Sequence, residues 1–167
     1  WFPSENIFFP GAKVKLETRV DLSKESHFTA WDIMCLGRPA INETFSSGQL
    51  SQRLEIFKDG RPIRIDKFII QEKDLALNEK WGLGKKPVVG TFFCFTPRKE
   101  LVSLLRKNID SLGKDDLISM TFLDDIILCR YLGNSVEQVK QNFIKVWQIL
   151  HLTLRGYDPV IPRIWNT

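Results

Sequence analysis

Histidine and cysteine are scarce in this sequence, and their scarcity excludes most metal-binding and nucleophilic sites. The 167 residues include two histidines and three cysteines. An odd number of cysteines leaves one unpaired, so a closed disulfide framework is excluded. Cys35, Cys94 and Cys129 each lie in an apolar stretch, which favours buried free thiols in a reducing compartment over redox or metal chemistry. His27 and His151 lack the spacing of a zinc site and a neighbouring nucleophile, so we interpret both as structural.

The sequence also lacks long apolar runs and a strong excess of one charge. No run of about 18 apolar residues occurs, so we expect no membrane span and no membrane partner. The net charge of +4 is modest and scattered, so nucleic acid is not an expected partner. No signal peptide follows Trp1, which favours a cytoplasmic location. Because the sequence opens with Trp1 rather than Met, we expect a C-terminal portion of a longer protein whose N-terminal part is missing.

Alternating polarity predicts strands in the first half of the chain. Residues 12–20 alternate between apolar and charged side chains, the period of a half-buried strand. Asp59-Gly60 lies between two strand-like runs and predicts a hairpin with a type I′ turn. Near the C-terminus, Ser135 and Gln138 form a capping box before a helical apolar pattern that Gly156 ends.

These patterns predict one domain, residues 1–167, that is mainly β with C-terminal helices, a β-rich α+β fold. Thr96-Pro97 is typical of a helix start, because threonine caps free N–H groups and proline tolerates the first helical position. The predicted parts are a strand-rich region 1–95, a helix at about 97–108, a hairpin at about 117–132, a helix at about 135–155 and an extended tail 157–167.

No catalytic motif emerges from the sequence. Gly82 to Pro87 (GLGKKP) contains glycine and lysine but lacks the second glycine and the Lys-Ser/Thr pair of a phosphate-binding loop. An enzyme that uses carboxylates in a cleft stays open as an alternative, because Asp and Glu are plentiful. Arg53 and Glu55 share one face of a predicted strand, which is either a solvated surface or, if both faces of the sheet are covered, a polar lumen or groove.

Four segments of the sequence resemble the urease accessory proteins of the UreD or UreH family. They are WFPSENIFF, LGRPAINETFSSGQLSQRLEIFKDGRP, RYLGNSVEQVKQNFIKVW and the closing PVIPRIWNT, in that order along the chain. The resemblance covers roughly the C-terminal three-fifths of such a protein. Six residues match the family pattern: Gly37, Arg38, Gly60, Pro162, Arg163 and Trp165. We interpret the glycines as backbone requirements and the tail as a docking or capping strap anchored by Trp165.

The resemblance implies a protein that is not an enzyme but a chaperone for urease maturation. Members of the family bind the urease apoprotein and act with UreF and the GTPase UreG to insert the nickel metallocentre. The resemblance further implies a stacked, solenoid-like arrangement of β-strands and an internal water-filled path for the ion. No tightly bound cofactor is then expected, only transient nickel. The alternative within the same fold is a generic β-rich protein-interaction scaffold without a role in metal delivery.

A nickel path implies polar residues in a lumen or groove. A divalent cation in transit needs oxygen ligands and water at several weak stations rather than a tight His/Cys cage. The candidates for this path are Asp32, Glu43 and Glu55, with Arg53 as a further polar residue of the lumen or groove. The hypothesis predicts that Glu55→Ala lowers urease activation and leaves assembly intact.

Overall fold

A computed structural model describes residues 1–109 and 116–166 and contains nine strands and two α-helices in those residues. The strands are β1 (Asn6–Phe8), β2 (Lys13–Leu22), β3 (Thr29–Arg38), β4 (Glu43–Thr44), β5 (Gln49–Lys58), β6 (Arg61–Ile70), β7 (Val88–Phe95), β8 (Leu117–Leu123) and β9 (Ile126–Gly133). The helices are α1 (Leu101–Asn108) and α2 (Val136–Arg155). Three short 3₁₀ helices lie at Pro39–Ile41, Leu75–Leu77 and Arg163–Asn166. The expectation of a β-rich α+β fold is confirmed.

The strands form two sheets between which the chain passes repeatedly. The large sheet has the order β1-β3-β7-β9-β8, with β4 paired to β3. The small sheet has the order β2-β5-β6. Strands β2 and β5 are parallel neighbours, and β5 and β6 form an antiparallel hairpin. Because β2 precedes β3 and β5 follows it, the chain alternates between the sheets, which places polar residues from distant segments opposite one another.

The large sheet is covered on both faces. One face packs against α1 and α2 through a core that includes Trp31, Phe92, Tyr131 and Phe143. The other face packs against the small sheet. Strands covered on both sides are expected to be almost continuously apolar, and β3, β7 and β9 are. At Gly90, a Cβ would lie 2.6 Å from Cγ2 of Val139 in α2, so this position needs a glycine for close helix packing.

The small sheet has one buried face and one charged face. Val14, Leu50 and Ile70 are cross-strand neighbours whose side chains pack toward the large sheet. The alternate positions of β2 and β5 carry mainly charged side chains. An antiparallel or mixed sheet can leave one face in solvent, so apolar and charged side chains alternate along its strands. The same alternation in the sequence predicted strands in the first half of the chain.

Both predicted hairpins are confirmed. Asp59 and Gly60 have φ values of 48° and 76°, the positive values that a type I′ turn requires at both central positions. Asp124 and Asp125, between β8 and β9, have φ values of 50° and 58°. Asp tolerates the left-handed region better than most residues do, so Asp-Asp serves here as a turn.

The two α-helices differ in how well the sequence predicted their bounds. Helix α2 is confirmed: the Ser135 hydroxyl accepts from the Gln138 N–H at 3.1 Å, and Gly156 ends the helix with φ 82°. Helix α1 begins at Leu101 rather than near Pro97, so the predicted start was wrong. The segment after Thr96 forms turns instead, with the Leu101 N–H donating to the Arg98 carbonyl at 3.2 Å.

The tail is extended only in part. Residues 157–162 have no regular structure, but Arg163–Asn166 form a 3₁₀ helix, so the prediction of an extended tail to the last residue was wrong there. Thr167 lies outside the described residues. No helix in the described part of the chain is long and apolar enough to cross a membrane.

Candidate functional site: a cavity between the two sheets

A cavity of about 600 Å³ lies between the large and small sheets. The large sheet contributes alternate residues of β3, β7, β8 and β9, and the small sheet contributes inward residues of β2, β5 and β6. The principal lining side chains are Thr18, Ala30, Asp32, Met34, Gln52, Leu54, Asp66, Phe68, Val89, Thr91, Phe93, Ser119, Arg130 and Leu132. Half of these side chains are polar, but apolar atoms make up most of the exposed wall, as is usual in a binding cavity.

Asp32 links the two sheets inside this cavity. Its carboxylate accepts a short hydrogen bond from the Gln52 amide on the small sheet and a longer one, 3.4 Å, from Asn6 on β1. Burial raises the pKa of Asp32, and the two amide donors oppose that rise because they stabilise the charged form. No Lys or Arg in the described residues forms an ion pair with Asp32.

Asp66 is the second carboxylate of the cavity, and cations offset its charge. Arg64, two residues away on the same strand, donates to it twice, at 2.6 and 3.0 Å. Arg130 on the large sheet approaches it at 3.5 Å. This last contact is a second polar link between the sheets. Asp66 is thus held by two guanidinium groups, whereas Asp32 is held by neutral amides, so Asp32 is the carboxylate with more capacity to attract a further cation.

The remaining polar groups of the cavity are oxygen donors. Thr18, Thr91 and Ser119 contribute hydroxyls from three different strands. None of the described lining residues is histidine or cysteine, and no group of three His, Cys, Asp or Glu side chains suited to holding a metal occurs in residues 1–109 and 116–166. Such a donor set is weak and suits hydrated divalent cations better than soft ones.

Arg53 and Glu55 do not face this cavity. Their side chains alternate with Gln52 and Leu54, which do face it, so they lie on the opposite face of the small sheet. There they form an ion pair with each other. Arg53 and Glu55 therefore do not line the space between the two sheets, and Gln52 is the polar residue of β5 that faces it.

Glu43 is also remote from the cavity. It lies in the short strand β4, where its carboxylate forms two hydrogen bonds of 2.7 Å with Arg38. Gly37 sits beside this pair with φ 89°, and a Cβ there would lie 2.4 Å from the Glu43 carbonyl oxygen. Of the four predicted lumen residues, the structure thus places only Asp32 in the cavity and does not bring the other three to it.

The aromatic end of the tail packs against the core. The Trp165 ring centroid lies 4.8 Å from that of Trp31, 5.1 Å from that of Trp147 and 5.5 Å from that of Phe2. Ring pairs at these separations add stability beyond the area that they bury. The Trp165 side chain therefore connects the tail to α2, β3 and the N-terminal segment.

Three polar residues of the cavity were not among the predicted site residues: Gln52, Asp66 and Arg130. Each of these positions has a sequence feature that could have indicated a buried polar residue. Gln52 shares a strand face with Leu50 and Leu54, and a polar side chain on an apolar face needs a partner when it is buried. Arg130 interrupts the apolar run of β9. Asp66 gives a weaker signal, because its neighbours on β6 are both charged and apolar.

Comparison with known proteins identifies the family. The family described as UreD urease accessory protein matches residues 1–166. Urease accessory protein UreD of Alcanivorax borkumensis is 38% identical over 167 residues, 100% of this chain and 56% of that protein. The protein of the same name from Klebsiella aerogenes is also 38% identical over 167 residues, 100% of this chain and 59% of its own length. Urease accessory protein UreD 2 of Brucella anthropi is 38% identical over 168 residues, 100% of this chain and 61% of its own length.

The chain therefore spans a little over half the length of each of these relatives. It matches them across its whole length, and the family match covers nearly every residue. This chain belongs to the UreD urease accessory protein family.

Proposed function

We propose that this protein serves in the maturation of urease, as a chaperone that helps nickel reach the urease active site. Its family and the names of its relatives support a role beside urease. In this proposal it is not an enzyme, works in the cytoplasm, and binds the urease apoprotein together with UreF and the GTPase UreG. Nickel is cargo that passes through it, and no cofactor is tightly held.

The cavity between the sheets is the proposed path for the cargo. The observation that supports this assignment is Asp32, a partly buried carboxylate that neutral amides hold and no described cation offsets. A carboxylate in that state attracts a divalent cation, and the nearby hydroxyls and amides can replace part of the water around it. The scarcity of stronger ligands suits release of the ion rather than storage.

The test is nickel-dependent urease activation with the full-length protein and its variants. Asp32→Ala should lower activation because it removes the uncompensated charge from the cavity. Glu55→Ala removes a carboxylate from the outer face of the small sheet, away from the cavity, and should leave activation unchanged under this proposal. A loss of activation would instead support the hypothesis that Glu55 belongs to the path. Co-purification with urease, UreF and UreG reports whether each variant still assembles.

The outcomes separate the alternatives. Reduced activation by Asp32→Ala with normal assembly supports a path through the cavity. A loss of urease activation in Glu55→Ala alone would place the path on the charged outer face of the small sheet. Full activation by both variants, with assembly intact, leaves a protein-interaction scaffold that takes no part in metal delivery.

A further inference from the structure

A large aromatic side chain is displayed on the surface of the loop between β6 and β7. Trp81 is 73% exposed, and Leu75 in the same loop is 67% exposed. The loop is nevertheless attached to the body of the protein, because Leu77 and Leu83 pack against the core between the sheets. Tryptophan is enriched among the residues that dominate protein–protein binding, so its exposure here calls for a partner.

The loop that carries Trp81 is held in one shape by its own hydrogen bonds. The Asp74 carboxylate accepts from the Ala76 N–H at 2.9 Å and caps the 3₁₀ helix. The Leu83 N–H donates to the Ala76 carbonyl at 2.6 Å, and the Lys85 N–H donates to the Leu77 carbonyl at 2.9 Å. A Cβ on Gly82 would lie 2.2 Å from the Ala76 oxygen, so only glycine fits there. A preorganised loop loses little conformational freedom on binding.

Positive charge is concentrated next to Trp81 in the sequence, whereas the acids Glu72 and Asp74 lie at the start of the loop, where the Asp74 carboxylate accepts from the Ala76 N–H. Trp81 is directly preceded by Lys80 and is followed, four and five residues later, by Lys85 and Lys86. Glu79 is the one acid between residues 78 and 87. No ion pair to these lysines occurs within the described residues. Many arginines elsewhere on the surface do pair with a nearby acid, as Arg19 does with Asp21. These three lysines are therefore available to form ion pairs with an acidic surface.

The loop also borders the proposed nickel path. Leu83, two residues from Trp81, forms part of the cavity wall. A protein that docks on Trp81 would thus sit beside the cavity and could receive an ion from it.

We propose that the Trp81 surface, defined as Leu75, Lys80, Trp81, Lys85 and Lys86, docks an acidic surface of the urease apoprotein that contains an apolar cleft for the indole. This inference rests on the proposed function, because that function makes urease the recipient. Shape and apolar contact come from Trp81 and Leu75, and charge complementarity comes from the lysines.

The test measures binding of purified urease apoprotein to the full-length protein and its variants. Trp81→Ala should weaken binding about tenfold or more, the loss typical of a central tryptophan. Ile41→Ala is its control, since Ile41 is 61% exposed and lies in the 3₁₀ helix Pro39–Ile41, away from the loop and the tail. The triple change of Lys80, Lys85 and Lys86 to Gln should weaken binding and flatten its salt dependence. A triple Gln change at Lys24, Lys99 and Lys107, which are exposed lysines elsewhere, removes the same charge and should leave binding near that of the wild type.

Each outcome decides between the two proposals. If the wild-type protein binds urease and Trp81→Ala binds equally well, the docking surface is overturned and the proposed function stands. If the wild-type protein does not bind urease, both proposals are overturned. Equal losses in the two triple variants would also overturn the docking surface, because net charge alone would then govern association. Thermal unfolding of each full-length variant should match that of the wild type, since the replaced side chains are mostly exposed. A clear loss of stability in Trp81→Ala would overturn the docking surface, because Trp81 would then pack against another part of the full-length protein.

Discussion

Replacing Gln52 by leucine removes the hydrogen bond through which the small sheet holds Asp32. The carboxylate then keeps only the 3.4 Å contact with Asn6 and any water in the cavity. A hydrogen bond to a charged group contributes about 1.5–3 kcal/mol when both partners are buried. Because Asp32 and Gln52 are half-buried, we expect a loss in the lower part of this range, about 1.5–2 kcal/mol of the free energy of unfolding at neutral pH.

The pH dependence of this loss identifies its cause. The Gln52 amide stabilises the charged form of Asp32, so its removal raises the pKa of Asp32 above the already raised wild-type pKa. At a pH above both values, Asp32 is charged in both proteins and the full difference in stability is present. As the pH falls through both values, Asp32 becomes protonated and needs the donor less, so the difference shrinks. Other carboxylates titrate alike in both proteins and cancel.

Urea unfolding of the full-length protein at neutral pH and at about pH 4 measures this difference. Asp32→Asn provides the control, because an uncharged acceptor remains and the effect of Gln52→Leu in that background should be small and independent of pH. A loss that is equal at both pH values, or equal in both backgrounds, would refute the reasoning. It would mean that Gln52 acts by packing and that the link between the sheets through Asp32 carries no energy.

Four further predictions concern the core and the tail. Gly90→Val should lower the free energy of unfolding by about 1–3 kcal/mol through overpacking against α2, and Val139→Ala should restore part of it in a double-mutant cycle. Cys129, whose pKa burial raises to about 12, should resist a thiol reagent at neutral pH in the native protein and react once urea unfolds the chain. Trp165→Ala should cost about 1–3 kcal/mol in urea unfolding, less than the roughly 3–5 kcal/mol of a fully buried tryptophan, because Trp165 is half-buried. Deletion of Pro162–Thr167 should disturb folding or partner binding. Unchanged solubility and co-purification would contradict the tail prediction.

Most elements of the fold could be predicted because local patterns determine them. The alternation of β2, the Asp-Gly turn and the capped apolar pattern of α2 each reflect interactions within a few residues. The three cysteines are buried and free, as their apolar surroundings predicted. The start of α1 was wrong because threonine followed by proline favours turns as well as helix caps, and nothing local decided between the two.

The arrangement of the sheets was out of reach of the sequence patterns. Strands β2 and β5 are parallel neighbours, although two strands of the other sheet, β3 and β4, lie between them along the chain. Their pairing depends on contacts between residues that are more than 30 positions apart, such as Val14 and Leu50. A single sequence carries no local signal of that kind, and only the resemblance to a family suggested stacked strands.

The position of Arg53 and Glu55 outside the cavity could not be predicted, for a related reason. A period of two sorts β5 into two faces, one with Arg53 and Glu55 and one with Gln52, Leu54 and Ile56. The pattern does not say what covers each face. We chose the more charged face as the lumen, yet a surface pair of opposite charges that satisfy each other needs no enclosure. The less conspicuous Gln52, alone among apolar neighbours, was the better indicator of a buried polar contact.

The same reasoning distinguishes the two carboxylates of the cavity. Asp66 is conspicuous because it joins Arg64 and Arg130, but these cations already offset its charge and so weaken its attraction for another cation. Asp32 has the smaller hydrogen-bond network, yet its partners are neutral and its burial disfavours the charged form. An arriving divalent cation would relieve that penalty at Asp32 and would compete with two guanidinium groups at Asp66. Under the proposed function, therefore, Asp66→Asn should alter the stability of the contact between the sheets more than urease activation, and Asp32→Asn should do the reverse.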